Sequence, residues 1–598
     1  MHYGGIYEDE IVGKAYDRRL MGRFIGYLRP YRLLVAVTLI LLPPMAAARL
    51  AQPYLLKLAI DNHIVKGQME GLPLLAGWFI LLILAESLFT YAQVWLLQYV
   101  GQKVMFDLRL ALFTHVQRMP AAFFDRTPTG SLVTRLTSDV EVLGEMFAAG
   151  IITIVGDIMV LIGIIGIMLW MNLKLSLVTF SVLPLLVWVA FTFRRRMREA
   201  FRQVRARLAN LNAFLAESIG GMAVVQLFNR QAREQEEFTR LNAAYRDANL
   251  PVISWDAALY ALVETLSSVA VGIIVWYGGG EILQGALTFG ALVAFIQYIE
   301  KFFSPIRDLS AKYSIMQGAM AALERIFNLL DREEAEVPTG KMYDPGAQKE
   351  APTTVPPVQT IQFHDVWFAY SGYDYVLKGF NLSLRRGETV ALVGETGGGK
   401  TTVTRLLSRL YDVQRGIISF DGTDIRDIPL NELRSRIGVV LQDPYLFTGS
   451  IEFNISLGDE RARRRVEEAA HIVGADRFIS QLPNGYREEV RERGVNLSAG
   501  ERQLISFARA VAFDPEILVL DEATASIDTT SERLIQEGLR GLMTGRTSLV
   551  VAHRLSTIQD ADRIVVIHRG EKMEEGSHQE LLAMRGLYYR LYQLQFRD

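Results

Sequence analysis

Eight consecutive residues, Gly394-Glu395-Thr396-Gly397-Gly398-Gly399-Lys400-Thr401, bring together the groups needed to hold a phosphate anion. Their spacing fits the pattern G-x-x-x-x-G-K-[ST]. The glycines let successive backbone N–H groups turn inward around the anion, Lys400 adds a full positive charge, and the Thr401 hydroxyl is of the type that ligates Mg²⁺. Such a loop needs rigid walls. The apolar run Thr389 to Val393 reads as a buried strand on one side. Thr401 to Leu410 reads as a helix on the other, its positive dipole end facing the same anion.

The remainder of the chain must supply what such a loop serves. At 598 residues it is too long for one hydrophobic core. It is 50% hydrophobic and 21% charged, with a mean hydropathy of +0.18, so apolar residues are concentrated in part of it. A net charge of −2 gives no bulk electrostatic case for nucleic acid or for an acidic substrate. With no cysteine, disulfides, thiolate metal sites and cysteine nucleophiles are excluded. Met1 to Leu20 is polar and charged, without the apolar stretch of a cleaved signal peptide. Arg18 to Arg32 spaces basic residues among Leu20, Met21, Phe24, Ile25, Tyr27 and Leu28, the pattern of an amphipathic helix lying on a cytoplasmic membrane surface.

Six segments, near 33–60, 72–100, 144–171, 173–193, 256–278 and 287–310, approach the length of about 20 apolar residues needed to cross a bilayer. The links after the second and fourth are long and arginine-rich, and those after the first, third and fifth are short and nearly free of arginine. Both chain ends are therefore expected on the cytoplasmic side. Residues 101–143 and 195–252 keep helical periodicity without membrane hydrophobicity, so the spans should continue roughly 30 Å into the cytosol. The turns at their far ends, near Met119 to Gly130 and Glu217 to Val225, are where a partner domain would be gripped. Polar residues inside spans are costly, which makes Arg49, Glu86, Asp157, Asp256, Glu264, Glu300 and Lys301 candidate cavity liners. Pro43-Pro44 should kink the first span. A polar, proline-rich stretch follows. The expected organisation is a cytoplasmic N-terminal segment over 1–32, a six-helix transmembrane domain over 33–320, a linker over 321–357 and an α/β domain over 358–598.

Further motifs follow the phosphate loop. Ile517 to Leu520 is an apolar strand ending in two carboxylates, Asp521 and Glu522, and Leu497-Ser498-Ala499-Gly500-Glu501-Arg502-Gln503 precedes it. Gln442 lies in Leu441-Gln442-Asp443-Pro444, Ala525-Ser526-Ile527-Asp528 follows the carboxylates, and His553 lies in Val551-Ala552-His553-Arg554. In this order they resemble the ATPase domain of ABC transporters. Six spans followed by that ATPase resemble an exporter-type half-transporter of the multidrug and lipid exporter group, from about residue 20 onward. The resemblance implies an α-helical six-span membrane domain like that of type I ABC exporters, then an α/β P-loop nucleotide-binding domain using ATP and Mg²⁺. It implies that Gly394 through Thr402 hold the phosphates and Tyr370 stacks on adenine. Asp521 corresponds to the residue that holds Mg²⁺ through water, with Thr401 and Gln442 as further metal contacts, and Glu522 to the general base. Gln442 and His553 also carry catalytic roles, and Asp528 lies in the D-loop at the nucleotide. Ser498, Gly500 and Glu501 would meet the γ-phosphate of ATP held by an opposite subunit, with Glu488 to Gly494 relaying closure.

The implied function is ATP-driven export of amphipathic or hydrophobic compounds by alternating access, from the cytoplasmic membrane of a prokaryote, as one half of a dimer. A lipid flippase of narrow specificity and an ATP-gated channel or regulator are the alternatives. One departure stands out. The usual signature reads Leu-Ser-Gly-Gly-Gln, and here Ala499 and Glu501 replace its third and fifth residues. A carboxylate near a triphosphate weakens that site by like-charge repulsion, which points to a heterodimer with one degenerate site, a homodimer being the alternative.

Overall fold

Long apolar stretches unbroken by turn residues fold in the computed structural model into helices far longer than a bilayer is thick. Residues 17–147, 152–332, 356–521, 529–552 and 555–596 are described. They fall into two units, one within Met1–Gln117 and Thr129–Arg332, the other within Arg118–Pro128 and Glu333–Asp598.

In the first unit, five helical stretches among the described residues are long and apolar enough to cross a membrane: Arg29–Ile64, Leu72–Gln117, Ile152–Met171, Leu173–Gly220 and Gln231–Leu283. The sixth expected span, 287–310, lies in the continuous helix Phe289–Leu330, which is not one of those five. Helix Leu72–Gln117, with 46 residues, is about 69 Å long, roughly twice the hydrocarbon thickness. Leu74, Trp78, Ile80, Leu84 and Leu88 are exposed along it, an outward face that suits lipid rather than water. Proline sets the breaks: the first span divides at Leu41 ahead of Pro43-Pro44, as expected, and the fourth at Ser181 and Val182 ahead of Pro184. The expected cytosolic turns carry short helices, Ala121–Arg126 and Met222–Leu227.

Two expectations change. Helix Phe289–Leu330 runs beyond residue 320, because Met320, Leu323, Ile326 and Phe327 continue a buried stripe at helical spacing. The N-terminal amphipathic helix forms at Arg18–Gly26, capped by the Asp17 carboxylate, but its apolar face is covered by protein rather than left for lipid. Met21 and Phe24 are buried, the Arg23 guanidinium sits 4.2 Å over the Phe327 ring, and it grips the Asp331 carboxylate through two bonds of 2.6 and 2.7 Å. Hydrogen bonding from Arg23 holds the Asp331 carboxyl below its usual range.

The second unit is built on strands β1 (Thr360–Phe368), β2 (Leu377–Arg385), β3 (Thr389–Val393), β4 (Arg415–Phe420), β5 (Thr423–Asp424), β6 (Ile437–Val440), β7 (Gly449–Ser450), β8 (Glu489–Val490), β9 (Ile517–Asp521), β10 (Thr547–Val551), β11 (Arg563–His568) and β12 (Glu571–Gly576). A sheet of order β12-β11-β3-β10-β9-β6 is parallel except for β12, and β2-β1-β4-β5 forms an antiparallel sheet. Parallel strands covered on both faces read as continuous apolar runs, as Thr389–Val393 and Ile517–Leu520 do. Register aligns Leu392 with Val551, Val551 with Asp521, and Leu520 with Val440, so the strands end at one edge.

Candidate functional site

That edge gathers the chemistry. Ligands of open parallel sheets bind beyond the carboxyl ends of the strands, and the phosphate loop leaves β3 there, Asp521 closes β9, and the exposed Gln442 follows β6. Gly394 is at φ +156°, and a Cβ on it would lie 2.1 Å from the Ile567 carbonyl oxygen, so no side chain fits where the loop leaves the sheet. Gly399 is at φ +105° and occupies the N-cap position of helix Lys400–Leu407, whose first turn has no side-chain cap. Its free N–H groups are available to an anion. The buried Lys400 ammonium donates to the carbonyls of Gly394 (2.7 Å) and Glu395 (2.9 Å), which holds it inside the loop. Burial pushes the Lys400 ammonium below its usual range, and Asp521 and Glu395 oppose that shift. An uncapped helix start, a cradle that admits only glycine and a buried lysine together fit a polyphosphate.

The Thr401 hydroxyl lies 3.5 Å from an Asp521 carboxylate oxygen. A hydroxyl and a carboxylate this close are of the oxygen-donor type that would hold a hard cation such as Mg²⁺. Among the described residues no group of three or more His, Asp or Glu is placed to hold a metal ion by itself. Tyr370 lies beside this loop, its hydroxyl 3.1 Å from the Thr402 hydroxyl. Glu522, Asp528 and His553 lie outside the described residues; the chain reaches them one residue beyond Asp521, further along that connection, and two residues beyond Val551.

Ser498, Gly500 and Glu501 are elsewhere in this unit. Ser498 caps helix Ala499–Ala512, its hydroxyl accepting the Glu501 N–H (3.2 Å) while the Glu501 carboxylate accepts the Ser498 N–H (2.7 Å). This is a capping box, which takes Glu or Gln alike at that position. The departure at Glu501 therefore has a structural use, and the carboxylate is turned back onto its own helix start. No hydrogen bond or ion pair joins this segment to the phosphate loop among the described residues. The preceding stretch is braced by Asn496, which accepts from Arg491 N–H (2.9 Å) and donates to the Glu489 carbonyl (3.0 Å).

Comparison with known proteins matches this arrangement. The model of the ABC transporter transmembrane region covers residues 37–306, and a second model, described as ABC transporter, covers 377–525. A probable multidrug resistance ABC transporter ATP-binding/permease protein, YheH, of Bacillus subtilis (strain 168) is 38% identical over 533 residues, 88% of this chain and 77% of that one. An ATP-dependent lipid A-core flippase of Desulfotalea psychrophila is 36% identical over 591 residues, 97% of this chain and 100% of that one. The chain belongs to the ABC transporter family. A solved bacterial Atm1-family ABC exporter with ATP bound superposes with a TM-score of 0.76 at 29% identity, covering 95% of this chain and 99% of that one. The transporter thus has the exporter-type fold, a helical membrane domain followed by an α/β nucleotide-binding domain, and couples ATP hydrolysis to transport.

Within the transporter's membrane unit, six of the seven expected polar residues fall in three places, and the seventh, Asp256, is exposed. Glu86 accepts from Gln52 (2.5 Å), and Lys301 donates to Gln52 and to the Arg49 carbonyl, both at 3.1 Å. Glu86, Thr90, Tyr91 and Trp95 lie along an open groove of about 770 Å³ on one face of helix Leu72–Gln117. Glu264 and Glu300 line another of about 360 Å³, with Ser267 and Ser268. Asp157 pairs with Lys312. Sequence reading placed Asp125 and Arg126 in a gripping turn but did not connect them, or Arg405 and Tyr411, with Tyr370 in the nucleotide-binding unit. Nothing in their spacing marks them, because they meet only through the fold.

Proposed function

We propose that this transporter is one of two subunits of an ATP-driven exporter that moves amphipathic or hydrophobic compounds across a membrane by alternating access. The observation carrying it is the convergence of the phosphate loop, Asp521 and Gln442 at one sheet edge, in a chain whose other unit is built from long lipid-compatible helices. The phosphates are held by Gly394 to Gly399 N–H groups, Lys400 and Thr402, and the base stacks on Tyr370. Mg²⁺, held by Thr401 with Asp521 and Gln442, neutralises phosphate charge when bound. Glu522 takes a proton from the attacking water, His553 and Gln442 orient it, and Ser498 and Gly500 present N–H and hydroxyl donors to nucleotide on the second subunit, next to Asp528. The chain spans the cytoplasmic membrane of a prokaryote six times, with both termini and the ATPase inside. The second subunit is another half-transporter. A heterodimer with one degenerate site remains the preferred reading and a homodimer the alternative, because the capping box gives Glu501 a structural use but leaves its charge at the helix start.

The relative named as a lipid A-core flippase supports a second reading, a lipid substrate. A narrow profile among lipids and dyes tested in vesicles would favour it over export of varied amphiphiles. The test of the ATPase is Glu522→Gln in the full-length protein in lipid vesicles. It should bind ATP as the parent does and lose turnover by about 100-fold or more. Retained turnover would sink the assignment of the base.

A further inference from the structure

The phosphate loop is backed by a second element, the turn between β11 and β12. Strand β11 pairs with β3 as far as Val566 and Val393, and where β3 passes into the loop, Ile567 and His568 run on beside it. Three contacts fasten this turn to the loop. The Ile567 carbonyl fills the space that a Cβ on Gly394 would need, and the Gly570 N–H donates to the Gly398 carbonyl (3.1 Å). His568 Nδ1 stands 3.7 Å from a Glu395 carboxylate oxygen. Gly570 is at φ +88°, and a Cβ on it would lie 2.2 Å from the Val376 carbonyl oxygen, so the turn is itself wedged in place.

Glu395 is the odd residue of the loop. Everything else between Gly394 and Thr401 offers an anion an N–H, a hydroxyl or the Lys400 ammonium, whereas a carboxylate repels a triphosphate. The Glu395 side chain is 62% exposed and that of His568 only 27%, so the imidazole is the better anchored of the two. Around His568 the described charged residues are Glu395 and Lys400 on the loop, Glu571 and Lys572 facing β11 from β12, Arg569 next along the turn, and Lys378, whose N–H donates to the Gly570 carbonyl; β3 contributes none. Among these residue types only histidine changes charge between about pH 5 and 8.

We propose that the β11–β12 turn positions the phosphate loop and that His568 is its charge-compensating residue. Protonated, His568 offsets Glu395 and lets the loop take ATP; neutral, it leaves Glu395 to oppose the phosphates. ATP affinity supplied by this pair therefore falls as pH rises through the histidine range. The proposal rests on Gly394 to Lys400 holding phosphate.

Equilibrium binding of ATP to the full-length protein in lipid vesicles at about pH 6 and about pH 8.5 tests it. Each variant is read as its Kd relative to the parent at the same pH, which cancels the titration of ATP itself. His568→Gln should bind about two- to fivefold more weakly than the parent at the lower pH, the range of a partly exposed ion pair, and equally at the higher. His568→Lys, which keeps a positive charge, should match the parent at the lower pH and bind about two- to fivefold more tightly at the higher. Glu395→Gln should bind more tightly than the parent at the higher pH by the same factor, and adding His568→Gln to it should change affinity by less than about twofold at either pH. The proposal is overturned if His568→Gln shifts affinity by one factor at both pH values, the mark of a structural role, or if His568→Lys gains nothing at the higher pH. Lys400→Ala separates this outcome from the site on which it rests. It should weaken ATP binding by more than about tenfold at both pH values, and unimpaired binding there would remove the phosphate-loop assignment itself.

Discussion

Glu501→Gln separates the two physical effects of the altered signature. The substitution is isosteric, and an amide oxygen can still accept the Ser498 N–H now bonded at 2.7 Å, so the capping box survives. Only a unit of negative charge leaves the N-terminus of helix Ala499–Ala512. That charge interacts favourably with the helix dipole by about 0.3–1 kcal/mol, so nucleotide-free protein should lose that much stability. If a triphosphate is presented to this helix start across a dimer, the same charge opposes it. For one phosphate charge left uncompensated by Mg²⁺ and Lys400, at a separation of ~8 Å and an effective dielectric of about 40 to 80, the repulsion is about 0.5–1 kcal/mol. Removing it should tighten productive ATP binding by about two- to fivefold. Stability and affinity therefore move in opposite directions: the thermal midpoint without nucleotide falls slightly, while ATP binds more tightly and its KM falls. Glu501→Ala, which loses the cap bond as well, should cost about 0.5–2 kcal/mol of stability. A lowered midpoint with an unchanged or raised KM in Glu501→Gln would refute the reasoning and leave Glu501 as a cap alone.

Gly394→Ala should abolish ATP binding, because its methyl would lie 2.1 Å from the Ile567 carbonyl and must force β3 from β11; Gly397→Ala meets nothing within 4 Å and should cost only about 1 kcal/mol for its φ of +82°, as nucleotide binding and thermal unfolding would report. Hydrogen exchange of Arg18–Gly26 should follow pH through Asp331. A carboxyl depressed in the folded state stabilises above its unfolded pKa of about 4, and loses that contribution as pH falls through the lower folded value. Protection of this helix should thus persist at neutral pH and fade in acid, and Asp331→Asn should lack the pH dependence; equal protection at both pH values in the parent would count against the clasp. Thr401→Ala should raise the Mg²⁺ concentration needed for half-maximal turnover by about tenfold with little effect on nucleotide binding in its absence.

Local physics made much of this protein legible from its residues. Gly394 to Thr401 requires a strand before it and a helix after it, because a loop that turns its N–H groups inward has to be anchored at both ends, and β3 and helix Lys400–Leu407 are there. Apolar length fixed the membrane helices, and proline coincides with the breaks at Leu41 and Val182, although Pro53, Pro251 and Pro305 are carried inside continuous helices, so a proline in the sequence marks a possible break and the surrounding structure decides it. Three matters depended on tertiary structure. That the Glu501 carboxylate bonds its own helix start is a matter of rotamer, visible only in the 2.7 Å bond from the Ser498 N–H. Whether the N-terminal amphipathic helix lies on lipid or protein depends on a partner more than 300 residues away, Asp331, which no period in the sequence announces. Asp125, Tyr411 and Tyr370 sit on three separated segments, and only the packing of three rings brings them together, because side-chain contact depends on distance in space and not along the chain.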